Sequence, residues 1–325
     1  MPQELGAGTP ERSAATAPDL SVAVVVGFRR GPAAEAVRSV LAQPNADRIE
    51  LLLVDCAGTG ADPLEGSDHP SARVLRLPLG TTFGEARATA VRQARAGIIA
   101  FLEEHCITLP GWSEALVRAH AGPWAGVGGE VYSANPGAGL SDAVYLLGYG
   151  MWIPPAERGL VAHLVSHNSS YRRDLLLEAG EALPRLLTSE PLLQDWLTER
   201  GHRLHVEPEV RFIHVNESKF GSLKGFYWWN RVFGATRADR SGWSRARRLG
   251  YAMLSPGLVV SRLLRQGSTV LRRHPNRWWA LLWNSPLMLL INAVAVWGNV
   301  LGALRGEADA EARFTDHELN DPDTR

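Results

Sequence analysis

Lysine is almost missing from this chain: only Lys219 and Lys224 occur among its 34 basic residues, and none lies in the first 218 positions. A phosphate-cradling loop built around an early lysine is therefore excluded. Cysteine is as scarce. Cys56 and Cys106 are the only two, too few for a disulfide framework and without the short spacing of a metal motif, which suits a reducing compartment and predicts lone buried thiols. The first twenty residues, rich in Ala, Gly, Pro and Thr, lack an apolar run. They read as a disordered lead and not as a signal peptide, so the body of the chain is expected to stay in the cytosol. No internal repeat is visible, and net charge is absent too, with 34 acidic residues balancing 34 basic ones.

That balance hides a strong asymmetry. Residues 217–277 carry thirteen Lys or Arg against Glu217 and Asp239, a net charge of +11, directly before the most apolar stretch of the chain. With 325 residues there is enough chain for one large α/β domain and an appendage, because single cores usually stop growing near ~250 to 300 residues. From residue 21 apolar runs alternate with helical spacing. Strands are expected at 21–26, 49–55, 73–77 and 98–102, with helices at 33–43, 84–95 and 112–120; near-continuous apolar strands between helices imply a mostly parallel sheet covered on both faces. Further on, strands are expected at 124–132, 163–168, 204–206 and 210–214, and helices from Arg172 and from Ser189 to Arg200.

Ligands of such sheets bind beyond the carboxyl ends of the strands. That rule selects Gly27 to Arg30 after the first strand, Asp55 after the second, and Glu103-Glu104-His105 after the fourth. Neighbouring side chains in a strand face opposite ways, so Glu103 and His105 can converge on one ion while Glu104 points elsewhere. A carboxylate and an imidazole suit a divalent cation, shifted from Mg toward Mn by the nitrogen ligand. They also tie binding to a neutral imidazole, above the ~6.5 at which a free one protonates.

The ordered set "SVAVVV", "IELLLVDCAGTG", "GEARATAVRQARAGIIAFLEEH", "PGW", "NSSYRR" and "SEPLLQDWLTERG" before "EPEVRFIH" resembles a family 2 glycosyltransferase of the GT-A fold, the inverting class that uses nucleotide-sugar donors. The match runs from Ser21 to about His214. The resemblance implies a Rossmann-like α/β GT-A domain over residues 21–216, a nucleotide-diphosphate sugar as donor, and a divalent metal, Mn or Mg, held by Glu103 and His105. It implies that Asp55 meets the base or ribose, with Glu104 on the donor side; Arg87 and Arg92, on the helix after Gly84, are expected to face either the donor phosphates or solvent. Glu190 matches the position of the catalytic base that takes the acceptor's proton, Asp195 being the fallback, and His167 and Asn168 match an acceptor-side segment. His214 carries no signal beyond that of a structural histidine. Three positions depart from the family pattern: Cys56 stands where a second Asp is usual, His105 takes the place of the last acid, and Gly27-Phe28-Arg29-Arg30 replaces a Thr/Asn pattern.

Beyond the domain, residues 217–277 read as basic and aromatic amphipathic helices. Residues 278–304 then contain no charge in 27 positions. As a helix at ~1.5 Å per residue this segment could cross a ~30 Å hydrocarbon core or lie in its interface. Trp278, Trp279 and Trp283 sit at one end, Pro286 is expected to kink or break it, and Ser285, Asn292 and Asn299 form a polar seam suited to helix packing or a homo-oligomer. Anionic lipid is a more economical target for the basic block than nucleic acid, because the block abuts the apolar stretch. Residues 305–325 read as an acidic disordered tail.

The sequence thus predicts a membrane-associated glycosyltransferase at the cytoplasmic face of the plasma membrane, acting on a lipid-linked or cell-surface glycan. Its rival is a GT-A-like scaffold or partner subunit that has lost its metal site. A sugar-phosphate nucleotidyltransferase ranks last, for want of the early lysine.

Overall fold

The computed structural model describes residues 17–58, 61–137 and 139–321; most of the lead at 1–20 and the end of the "AGTG" turn lie outside the described residues. Strands β1 (Leu20–Val26), β2 (Ile49–Asp55), β3 (Ala72–Arg76) and β4 (Ile98–Leu102) are parallel. The sheet continues through short β5 (Cys106–Thr108), β6 (Gly126–Ser133), β7 (Gly159–Val161), β8 (Ser170–Arg172) and long β9 (Leu204–His214). Its order is β3-β2-β1-β4-β8-β6-β9-β5, with β7 paired to β9. β8 runs antiparallel to both β4 and β6, which joins the parallel half to the second half of the sheet.

Alternation along the central strands explains why both faces are covered. Val22, Val24, Val26, Leu51 and Leu53 pack on one side, under α1 (Arg30–Leu41), α3 (Trp112–Ala119) and α4 (Leu140–Tyr149). Ala23, Val25, Leu52 and Val54 pack on the other, under α2 (Phe83–Gln93), the short α5 (Arg173–Leu177) and α6 (Leu183–Thr188), and α7 (Glu190–Thr198). Full burial of about seven residues in each of β1 and β2 supplies ~1.5 to 3 kcal/mol per large apolar side chain. Cys56 and Cys106 are buried and not joined in a disulfide, and burial beside the Asp55 carboxylate pushes the Cys56 thiol up to about 12.

Two strand expectations change. Residues 163–168 form a loop, because His167 takes a left-handed backbone (φ 70°) that an extended chain cannot hold. The separate strands at 204–206 and 210–214 are one strand. The break suggested by Pro208 is absorbed by a register shift between Gly128 and Glu130 of β6, where a residue without an N–H does no harm.

Four more helices follow: α8 (Leu223–Arg240), α9 (Arg245–Met253), α10 (Ser255–Arg273) and α11 (Trp278–Arg305). Pro286 does not break α11. The carbonyl of Leu282, left without its helical donor by the proline, accepts from the Ser285 hydroxyl at 2.8 Å. α11 lies against α8 at small residues: a Cβ on Gly298 or Gly302 would stand 2.4 Å from the Tyr227 carbonyl or 2.0 Å from that of Arg231.

The tail is the largest correction. Residues 310–320 are not disordered but form helix α12 (Ala310–Asn320), with Phe314, His317, Glu318 and Leu319 buried. Its apolar positions occur at helical spacing among the acids, and they join the core at Leu319 and stack Phe314 edge-on to Phe83. The seven acids that suggest a solvated tail hide this pattern.

Candidate functional site

The segment after β1 and the turn after β4 face α12. β4 stops at Leu102, so Glu103-Glu104-His105 is a tight turn into β5 and not a strand end; Cys106 N–H donates back to the Glu103 carbonyl at 3.0 Å. All three side chains are buried. The turn brings Glu103 and His105 together: Glu103 Oε2 and His105 Nε2 lie 3.6 Å apart. Glu104 faces the other ring nitrogen, with Oε1 3.3 Å from His105 Nδ1, and it groups with Glu318 of α12.

A third ligand-type atom, which the sequence reading assigned no role, completes the cluster. His214 ends β9, and the β5–β9 pairing that sets Cys106 opposite His214 delivers its ring to His105. The two Nε2 atoms are 2.9 Å apart, and His214 Nε2 is 3.4 Å from Glu103 Oε2. The Tyr149 hydroxyl reaches the same nitrogen at 2.9 Å, while His214 Nδ1 is fixed by Asn216 Oδ1 at 3.0 Å. Cys106 Sγ also falls within the group. Only the pairing of β5 with β9, which is not visible in the linear spacing, could have exposed His214.

These atoms fit a divalent ion. Ligands around an ion with ~2.1 Å bonds stand about 3 Å apart when adjacent, and the carboxylate and two imidazole nitrogens are separated by 2.9, 3.4 and 3.6 Å. One carboxylate oxygen and two imidazole nitrogens favour Mn-like borderline ions over Mg. Burial pushes the Glu103 carboxyl up, but the charge of His105 and the hydrogen bonds from His167 and His214 outweigh this and hold it well below the usual carboxylate range.

His167 and Asn168 hold Glu103 in place. His167 Nδ1 lies 3.1 Å from Glu103 Oε1, the Asn168 amide donates to Oε2, and Asn168 Oδ1 accepts from the Glu103 N–H at 3.0 Å. Behind them stands Glu190, with none of its surface exposed. Its carboxylate accepts from the His167 N–H, from the Tyr171 hydroxyl at 2.8 Å and from Arg87 at 3.3 Å. Ser189 precedes it at the helix start without a side-chain capping bond. Arg87 is therefore a core residue, sandwiched against the Phe83 and Phe101 rings with its guanidinium carbon 4.2 and 5.2 Å from their centroids, and it neither faces solvent nor points to a donor.

Three candidates lie apart from this cluster. Asp55 pairs with Arg30 at 2.9 Å, caps its own turn by accepting from Ala57 N–H at 3.1 Å, and borders a separate cavity with Asp62 and Arg76. Arg92 is half-exposed beside Glu85, and Asp195 meets His163 at 2.8 Å away from the cluster.

A cavity of about 240 Å³ opens onto Glu103, His167 and His214. Tyr149 and Trp152 close one side, Phe226 and Trp229 of α8 another, and Phe314 and Glu318 of α12 the roof; Glu217 lies at its edge. His167 Nε2 is buried there without a hydrogen-bond partner, as a group awaiting a ligand would be. α12 is pinned across the strand ends: Asn320 Oδ1 accepts from Phe28 N–H at 3.0 Å, Arg29 donates to the Asp321 carbonyl at 3.3 Å, and Thr315 Oγ1 accepts from Phe83 N–H at 3.0 Å.

Residues 21–180 match the model of the family described as Glycosyl transferase family 2. Among solved structures, GalNAc-T7 with UDP, GalNAc and Mn2+ matches with a TM-score of 0.45 and 15% identity over 61% of this chain, which spans 43% of the length of that protein. TarS 1-349 of S. aureus matches with a TM-score of 0.46 and 14% identity, over 85% of this chain and 90% of that one. No curated protein matches.

Proposed function

We propose, from the match of residues 21–180 to the model of glycosyl transferase family 2, that the chain moves a sugar with inversion from a nucleotide-diphosphate donor to a lipid-linked or cell-surface glycan at the cytoplasmic membrane face. The observation that carries this reading is the convergence of Glu103 Oε2, His105 Nε2 and His214 Nε2 within 2.9 to 3.6 Å of one another at the ends of the parallel strands. Glu103, His105 and His214 would hold a divalent ion there, whose charge offsets that of the departing diphosphate.

The other residues have separable tasks. Asn168 and His167 fix the Glu103 carboxylate, and Glu190 fixes His167 through its backbone N–H. Glu190 is enclosed and absent from the cavity wall, so we assign it to positioning in place of the base role that its sequence position suggests. Glu217, at the cavity edge, is the carboxylate we assign to take the acceptor's proton. The aromatic walls Tyr149, Trp152, Phe226 and Trp229 offer apolar faces to a sugar ring and exclude water from the reacting centre. Asp55 and Arg30 lie further along the same rim, where a nucleoside would extend.

The test is calorimetric binding of UDP and GDP with and without Mn2+. The reading expects binding that requires the ion and weakens more than about 100-fold in His214→Ala. Absence of nucleotide binding with any divalent ion would overturn it and favour the non-catalytic scaffold.

A further inference from the structure

Helix α11 is apolar on both faces. Its inward face buries Asn284, Asn292 and Asn299 among Leu281, Met288, Ile291 and Val300. Asn292 donates to Gln266 of α10 at 2.8 Å and Asn299 to Asn230 of α8 at 2.7 Å. Its outward face carries Trp278, Trp279, Leu282, Trp283, Leu289 and Trp297, which share one side of the helix, with Trp283 75% exposed and Trp297 58% exposed. A surface helix of a soluble protein turns polar and charged residues outward. Large rings facing outward over a mostly apolar inner face match a medium that is apolar, with an interface where tryptophan is preferred.

We propose that this outer stripe of α11 is a docking surface for an anionic bilayer, with α11 lying in the plane of one leaflet and not crossing it. The inference deepens the membrane-facing part of the proposed function and rests on it. Charge selects the partner. α10, bonded to α11 through Gln266, and α9 before it expose Arg245, Arg247, Arg265 and Arg272, within the segment of net charge +11. Cationic side chains beside an apolar stripe complement acidic headgroups over acyl chains.

The packing of α8 decides against a span. Gly298 and Gly302 bring α11 against the α8 backbone, and a Cβ on Gly234 would stand 2.2 Å from the Asn299 carbonyl. α8 carries Lys224, Arg231, Arg237 and Arg240, and its Phe226 and Trp229 line the cavity. If α11 crossed the bilayer, these charges and the cavity wall would be drawn into hydrocarbon. In the plane, α11 meets lipid on one face while α8, one helix deeper, meets the acceptor.

Vesicle co-sedimentation of the full chain tests this, using phosphatidylcholine alone and an equal mixture with phosphatidylglycerol, followed by an alkaline carbonate wash. The expected results are binding to the mixed vesicles only, release by the wash, and more than tenfold weaker binding in the Trp283→Glu/Trp297→Glu double variant, with about fivefold weakening for each of Arg265→Glu and Arg272→Glu. Retention after the wash would overturn the in-plane arrangement in favour of a span. A soluble dimer that ignores both vesicles and becomes monomeric in the double variant would overturn the lipid partner. Mn2+-dependent UDP binding, measured on the same variants without vesicles, stays intact if only docking has failed and is missing from the parent chain if the enzymatic reading has failed.

Discussion

Glu190 closes three contacts with one carboxylate, to Tyr171, to the backbone of His167 and to Arg87. Removing it leaves the Arg87 guanidinium, itself 1% exposed, uncompensated in the core, and burial already pulls that group below its ordinary value. Glu190→Ala is expected to cost about 3 to 5 kcal/mol by denaturant titration. A loss below ~1 kcal/mol, with turnover abolished, would restore the residue to the base role. His120 provides a pH test. Burial, and then the Arg172 charge, lower its imidazole to about 4, below the ~6.5 of an unfolded chain. A depressed folded value means that the unfolded state takes up the proton first. The contribution is therefore complete above pH ~6.5 and falls by up to about 3 kcal/mol as pH drops toward 4. Thermal melts between those limits should show a shallower decline in His120→Gln. At this scale the sequence was half legible. Glu103 and His105 come together as their place after a core strand suggests, whereas His214 joins them through a β5–β9 pairing more than a hundred residues apart that linear spacing does not show. Arg87 misled because helical spacing cannot tell a core arginine that has a buried partner from one that faces solvent.

At the scale of elements, β1, β2 and β4 were readable because they are apolar throughout, as a strand covered on both faces must be. α12 was not, because its few apolar residues are diluted by acids and its stability comes from docking on Gly27 and Phe83. Gly27 permits that docking: a Cβ there would stand 2.5 Å from Asn320 Oδ1 and 2.6 Å from Leu319 Cβ. Gly27→Ala is expected to loosen α12 without unfolding the sheet, at a cost of about 1 to 3 kcal/mol. Amide exchange across residues 310–320 should accelerate while that of β1 holds. Equal protection in the variant would mean that the bonds from Phe83 N–H to Thr315 and from the Thr188 hydroxyl to Glu311 suffice. α11 was readable as apolar, but its orientation was not, because Asn284 and not Ser285 completes the buried seam.

Over the whole molecule, a formal charge of zero combines +11 in residues 217–277 with −11 in the remainder. Opposite poles of this size orient a molecule as it approaches a charged surface, with the basic helices leading. Vesicle binding should therefore weaken steeply as salt rises from ~0.01 to 1 M, where the screening length shrinks from about 30 to 3 Å. A flat response would assign the attachment to the apolar stripe alone. The broad class of the fold and this division of charge were both present in the sequence, because each is a sum over many residues and survives errors in any one.

The roof of the cavity carries one more consequence. Phe314, His317 and Glu318 of α12 line the cavity of about 240 Å³ beside Glu103, His167 and His214, so a ligand that binds there touches the C-terminal helix as well as the sheet. A dye attached at exposed Ala312 of α12 would then sense such a ligand through its anisotropy.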